Sequence, residues 1–105
     1  MTDMPYGLPD SAVERIRSVF SAHTGVTRAL LYGSRAKGTW KNGSDIDLTL
    51  YGTLSFEDLL RIENDLDDLL LPWTIDLSVY ETIDNPSLRE HIDRIGLVFY
   101  EKASS

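Results

Sequence analysis

Three aspartates stand where aspartate is unfavourable. Asp45 and Asp47 flank Ile46 in SDIDLTLY, and Asp76 lies in TIDLSVY; both segments otherwise alternate apolar and polar residues as half-buried strands do. Residues i and i+2 of a strand project to the same side ~6.6 Å apart, so Asp45 and Asp47 share a face that Asp76 can join from a neighbouring strand. All three are ionised at neutral pH, and two such charges ~5 Å apart repel by roughly 3 kcal/mol at an effective dielectric of ~20. Such a face demands positive charge. The chain has no cysteine and only two histidines, so the available donors are carboxylate oxygens, which select a hard cation, Mg²⁺ or Mn²⁺. Magnesium keeps waters and shares its coordination with substrate phosphates, which makes the cluster a nucleotide-phosphate site rather than a structural cage.

The stretch LYGSRAKGTWKNGSDIDL places a Gly-Ser pair ten residues ahead of Asp45. Gly33 lets the backbone turn sharply or approach a ligand, and Ser34 offers a hydroxyl and an N–H to a phosphate oxygen. Arg35 and Lys37 add positive charge, and Gly38 and Gly43 give the loop room to fold back beside the aspartate strand. The loop lacks the Gly-Lys-Ser/Thr ending of a P-loop, and there is no GxGxxG. A lone Asp-x-Asp is usually an edge-strand or turn feature; the conjunction of Gly-Ser, ten residues, Asp-x-Asp and a third aspartate in a second alternating strand is far more specific.

These residues must be positioned by the elements around them. Residues 1–9, with Pro5, Gly7 and Pro9, read as an arm without regular structure. A first helix is expected to start at Ser11, with Glu14 completing a capping box, to bury Val13, Ile16, Val19 and Phe20, and to stop at Gly25. Strands are expected over Thr27–Tyr32, Ser44–Tyr51, Thr74–Tyr80 and Leu97–Glu101. Ser55 and Asp58 cap a second helix whose apolar stripe runs from Phe56 through Leu59, Leu60, Ile62, Leu66 and Leu69 to Leu70, closed by Pro72. Asn85-Pro86 opens a third, carrying Leu88, Ile92 and Ile95 to Gly96. The order α-β-β-α-β-α-β predicts an α+β (α/β) fold: one twisted, mixed sheet of about four strands with helices packed on one face, and the aspartate face at least partly open. Residues 1–105 are expected to form one domain with a short tail at 102–105.

Composition narrows the partners. Ten Lys and Arg against seventeen Asp and Glu give a net charge of −7, which repels a phosphate backbone, so long nucleic acid is an unfavourable substrate. A basic protein, or a nucleotide escorted by a divalent cation, fits better. No apolar run approaches the ~20 residues of a membrane span, and with no disulfide framework a cytoplasmic setting is expected. The helix from Ser55 to Leu71 carries Glu57, Asp58, Glu63, Asp65, Asp67 and Asp68 against Arg61, which is a solvated face or a docking surface for a basic partner. Trp40 either stacks on a base or pins its own loop, Trp73 packs on the sheet, and His23 and His91, without partners at i+4, read as structural or surface residues.

The pattern Gly33-Ser34, ten residues, Asp45-Ile46-Asp47 and then Asp76 resembles the nucleotidyltransferase superfamily of polymerase-beta type, over roughly residues 27–80. GSRAKGTWKNGSDIDL is similar in particular to the minimal nucleotidyltransferases, small proteins commonly paired with a HEPN-domain partner in toxin–antitoxin modules. The resemblance implies that Asp45 and Asp47 hold metal ions bound to a nucleoside triphosphate. It implies further that Asp76 completes the second metal site and helps activate the attacking hydroxyl, and that Gly33 and Ser34 hold phosphate oxygens. The implied reaction is two-metal transfer of AMP from ATP to a hydroxyl, that of a tyrosine on a cognate HEPN ribonuclease toxin. Two alternatives stay open: an antitoxin that neutralises by binding alone, and a nucleotidyltransferase for small molecules. Larger relatives carry further domains for the acceptor; here either an acceptor partner is expected to complete the site, or catalysis is expected to be weak or absent.

Overall fold

A computed structural model describes residues 5–103. After a 3-10 turn at Pro5–Gly7, the chain runs α1 (Asp10–Ala22), β1 (Val26–Tyr32), α2 (Ser34–Lys37), β2 (Ile46–Gly52), α3 (Phe56–Asp67) and β3 (Ile75–Val79). A second 3-10 turn (Tyr80–Thr82), α4 (Pro86–Ile95) and β4 (Leu97–Glu101) complete it. The four strands form one sheet in the order β3-β2-β1-β4; β1 is antiparallel to β2 and β4, while β2 and β3 run parallel. The mixed α+β sheet is as expected. None of the described helices is long and apolar enough to cross a membrane.

Strand alternation sorts side chains onto two faces. Val26, Ala29, Leu31, Ile46, Leu48, Leu50, Leu77 and Phe99 fill the core face, where Ile16 and Phe20 of α1 and Ile62 and Leu66 of α3 pack against them. Each fully buried side chain of this size contributes about 1.5–3 kcal/mol, so this layer holds the sheet flat against two helices. The expectation of helices on one face describes α1 and α3. α4 lies across the other face, where Ile92 joins Leu30 and Tyr32 of β1 and Ile83 in a second, smaller cluster. Its apolar stripe needs a cover, and the alternate residues of β1 are the apolar ones on that side. The aspartates on β2 and β3 stay outside this cover.

Several boundaries differ from the sequence reading for identifiable reasons. The part of the expected arm that is described, residues 5–9, is built into the fold: Tyr6 packs on Phe99 with ring centroids 5.8 Å apart, and Leu8 is fully buried. The rest of the arm, residues 1–4, and the last two tail residues lie outside the described residues. Helix α1 begins at Asp10 behind an extended Pro9, whose carbonyl accepts from the N–H groups of Ala12 and Val13; Ser11 caps nothing, and Glu14 pairs with Arg17 instead. Gly25 does not stop this helix, which ends where His23 turns extended; it gives close backbone passage, since a Cβ there would meet the Thr53 carbonyl at 2.6 Å. Helix α3 ends at Asp67, so Leu69 and Leu70 fall beyond it, and Leu70 (88% exposed) and Phe56 (73%) lie outside the core.

The other two caps match the sequence. Asp58 N–H donates to Ser55 Oγ at 3.1 Å and Ser55 N–H to Asp58 Oδ2 at 2.9 Å, a complete capping box. The Asn85 side chain accepts from Ser87 and Leu88 N–H, with Pro86 in the first turn. Replacing Ser55 with Ala leaves an orphan N–H and is expected to cost about 1 kcal/mol. For a chain of this size that lowers Tm by roughly 4–8 °C in a calorimetric scan.

Candidate functional site

The site is the end of the sheet where β1 finishes and β2 and β3 begin. Pairing puts Tyr32 opposite Asp47, and Asp47 opposite Asp76, so these three side chains form one row across three strands. Neighbouring strands lie about 4.8 Å apart, which sets two carboxylates side by side. Asp45 does not belong to the strand as expected; β2 starts at Ile46, and Asp45 closes the preceding loop, exposed beside the pair. The row continues along the strands as Leu30, Thr49 and Ser78, with Ser78 Oγ donating to Thr49 Oγ1 at 3.0 Å, and then as Arg28, Tyr51 and Tyr80. At that far end Arg28 lies over Tyr51, Tyr51 stacks on Tyr80 and Arg89 lies over Tyr80, a closed ladder of four planar groups.

Gly33 makes the turn that brings the loop to the aspartates. Its φ of 76° and ψ of −155° lie outside what a side chain tolerates, and a Cβ there would run into the Asp47 carboxylate. Backbone and carboxylate are therefore in contact. Ser34 opens α2, which the sequence reading missed because four residues show no periodicity; Gly38 closes it in the left-handed conformation. Lys37, exposed, lies three positions after Ser34 and hence on its side of the helix.

Arg35 departs from the expectation of a phosphate ligand. It is 2% exposed, and its guanidinium donates to the Ser44 carbonyl through Nε (3.1 Å) and Nη2 (2.8 Å) and to the Tyr6 and Gly7 carbonyls through Nη1 (2.8 and 3.4 Å). Burial lowers its pKa, and Asp45 works in the other direction. The planar fork of donors is spent on three carbonyls, so Arg35 clamps the loop rather than reaching a ligand.

Electrostatics mark Asp47. Its pKa is raised, first by burial and then by the charges of Asp76 and Asp45, while His91 favours the ionised form. As they stand the carboxylates do not close into a cage: among the described residues no three His, Cys, Asp or Glu side chains converge to hold an ion. The donor set still suits magnesium, which needs only one or two carboxylates and keeps water for the rest. Asp47 and Asp76 in register, with Asp45 flanking, are the residues that would hold it.

Two neighbours escaped the sequence reading. Tyr32 is buried in the acid row, its hydroxyl pKa raised by burial against a hydrogen bond with Ser78 and further raised by Asp76 and Asp47. His91 of α4 meets the Tyr32 ring edge-to-face, centroids 6.3 Å apart. Tyr32 could have been found by extending the period-2 pattern to the last residue of β1; His91 could not, since nothing local says that α4 lies on this face. His23, by contrast, joins Asp65 at 2.6 Å and ties α1 to α3, a structural role as expected.

Comparison with known proteins places this geometry. The polymerase beta nucleotidyltransferase family profile matches residues 14–105. No curated protein matches the sequence. Among solved structures, a toxin–antitoxin complex with AMP-PNP is similar at a TM-score of 0.69 and 19% identity, covering 86% of this chain and 73% of that one. A protein provisionally assigned as a minimal nucleotidyltransferase gives 0.68 at 25% identity, covering 92% and 98%. A complex of tri-AMPylated Shewanella oneidensis HEPN toxin with an MNT antitoxin gives 0.64 at 16%, covering 88% and 71%.

Two predictions follow from the charges. A carboxyl whose folded pKa is raised costs stability above that pKa, and the cost vanishes below the unfolded value. Asp47→Asn is therefore expected to raise Tm at neutral pH without magnesium, by an amount that shrinks as pH falls through the carboxylate range. Arg35→Lys, which cannot bridge three carbonyls, is expected to lose about 1.5–3 kcal/mol in urea unfolding, against under ~0.5 for Lys37→Ala. By the match over residues 14–105 and by the acid row beside the Gly33 turn, the chain belongs to the polymerase beta nucleotidyltransferase family.

Proposed function

We propose that this chain transfers AMP from ATP to a hydroxyl, a tyrosine, of a cognate HEPN toxin, and so serves as its antitoxin. The observation that carries the reading is the in-register Asp47–Asp76 pair, flanked by Asp45 and in contact with the Gly33–Ser34 turn. The partner rests on the solved complex in which a tri-AMPylated HEPN toxin is bound to an MNT antitoxin.

In this reading Ser34 and the Gly33 backbone hold phosphate oxygens of ATP, and Lys37 adds charge from the same side of α2. Magnesium or manganese, held by Asp45, Asp47 and Asp76, supplies neutralisation of the triphosphate and of the charge that develops on the attacking and leaving oxygens. The hydroxyl oxygen attacks the α-phosphorus, its bond to the bridging oxygen breaks, and pyrophosphate leaves with that electron pair. The hydroxyl proton passes to a carboxylate, a role this reading gives to Asp76, which is exposed at the rim of the row. The geometry puts Asp76 on the sheet edge, where a second protein can reach it.

A second reading, neutralisation by binding alone, draws on α3, which carries both acidic residues and the exposed Phe56 and Leu60 and suits a basic partner. One experiment separates them. Incubation with ATP, Mg²⁺ and the co-encoded HEPN protein is expected to add AMP masses to the partner, and Asp45→Ala/Asp47→Ala is expected to abolish them. A stable complex that neutralises the toxin without any mass increment supports binding alone, and nucleotidylation with no protein present points to a small-molecule acceptor.

A further inference from the structure

One cavity is not used by the phosphate chemistry. A cleft of about 590 Å³ opens between the amino-terminal turn and the loop before β2, within the range of small-molecule sites. Trp40 and Trp73, the chain's two tryptophans, both line it, with Arg35 in its wall and Lys41, Asn42 and Gly43 on the loop side. Each indole has a neighbour in the cleft wall that fixes it. Trp40 lies against Gly7, whose φ of 72° and lack of a Cβ make room for it, and the Arg35 guanidinium lies 6.0 Å from the centre of the Trp73 ring. Trp40 keeps 38% of its surface exposed.

Two indoles held in the wall, an amide that can both donate and accept, and an ammonium describe a receptor for a flat heteroaromatic ring. The cleft is also joined to the phosphate site by the chain itself. Arg35 follows Ser34 directly and holds the Ser44 carbonyl, and Gly43 precedes Asp45 by two residues, which limits their Cα separation to about 7.6 Å.

We propose that this cleft receives the base of the nucleotide whose phosphates sit at Gly33, Ser34 and the aspartates; the assignment rests on the nucleotidyltransferase reading above. Trp40 supplies the stacking face, Asn42 faces the polar edge of the ring, and Arg35 keeps Trp73 and the loop in place. Opening or distorting the Trp40 loop then changes the affinity for the whole nucleotide and leaves that for its phosphates alone.

The test uses the intrinsic emission of the two tryptophans together with calorimetry on the full chain. With Mg²⁺ present, ATP is expected to bind and change the emission, whereas inorganic tripolyphosphate binds without changing it. Trp40→Ala is expected to weaken ATP roughly 5- to 150-fold while tripolyphosphate binding holds, and Trp40→Phe to retain most of the ATP affinity. An unchanged ATP affinity in Trp40→Ala, or an equal loss for both ligands, overturns the assignment. If tripolyphosphate fails to bind the wild-type chain, the nucleotidyltransferase reading fails instead, and millimolar adenosine decides the cleft: an emission change lost in Trp40→Ala upholds it, and no change refutes it.

Discussion

Two carboxylates held in register on adjacent parallel strands repel each other, and burial adds to the cost of charge at Asp47. The Arg35 guanidinium is turned inward onto three carbonyls, and His91 reaches Asp47 only as a neighbouring charge. The sheet tolerates this because the same strands bury Ile46, Leu48, Leu50 and Leu77 on the reverse side. Hydrophobic burial on one face offsets electrostatic cost on the other, and a one-residue slip of register would exchange the two faces and lose both. The site is thus stored in the pleat of β2 and β3.

Strand parity did the most to make the fold readable. Once SDIDLTLY and TIDLSVY are taken as strands, the faces of Asp47 and Asp76 follow, and the capping box at Ser55 and the Asn85-Pro86 start fix two helices by hydrogen-bond chemistry alone. Failures lie where long-range contact overrides local signal. Leu8 looks like part of an arm until its partners on the core face are known. Ser11 has the right spacing for a cap, yet Pro9, with its fixed dihedral, takes the N-cap position two residues earlier.

The candidate site divides in the same way. Gly33 and Ser34 reach Asp47 through one turn, and strand parity alone assigns Asp47 and Asp76 to one face although their pairing is long-range. Arg35 was misread because charge in a loop next to a phosphate motif suggests a ligand, whereas its burial depends on Tyr6 and Gly7, almost thirty residues earlier. His91 and Tyr32 meet only because α4 crosses the acid face, a matter of how its apolar stripe finds Leu30. No spacing rule within either segment contains that information.

The Arg35 clamp has a practical side. By holding the carbonyls of Tyr6 and Gly7 and that of Ser44 on one guanidinium, it couples the start of the chain to the residue preceding Asp45. A substitution that shifts the Tyr6 or Gly7 carbonyl is thus felt at the acidic mouth through a single side chain.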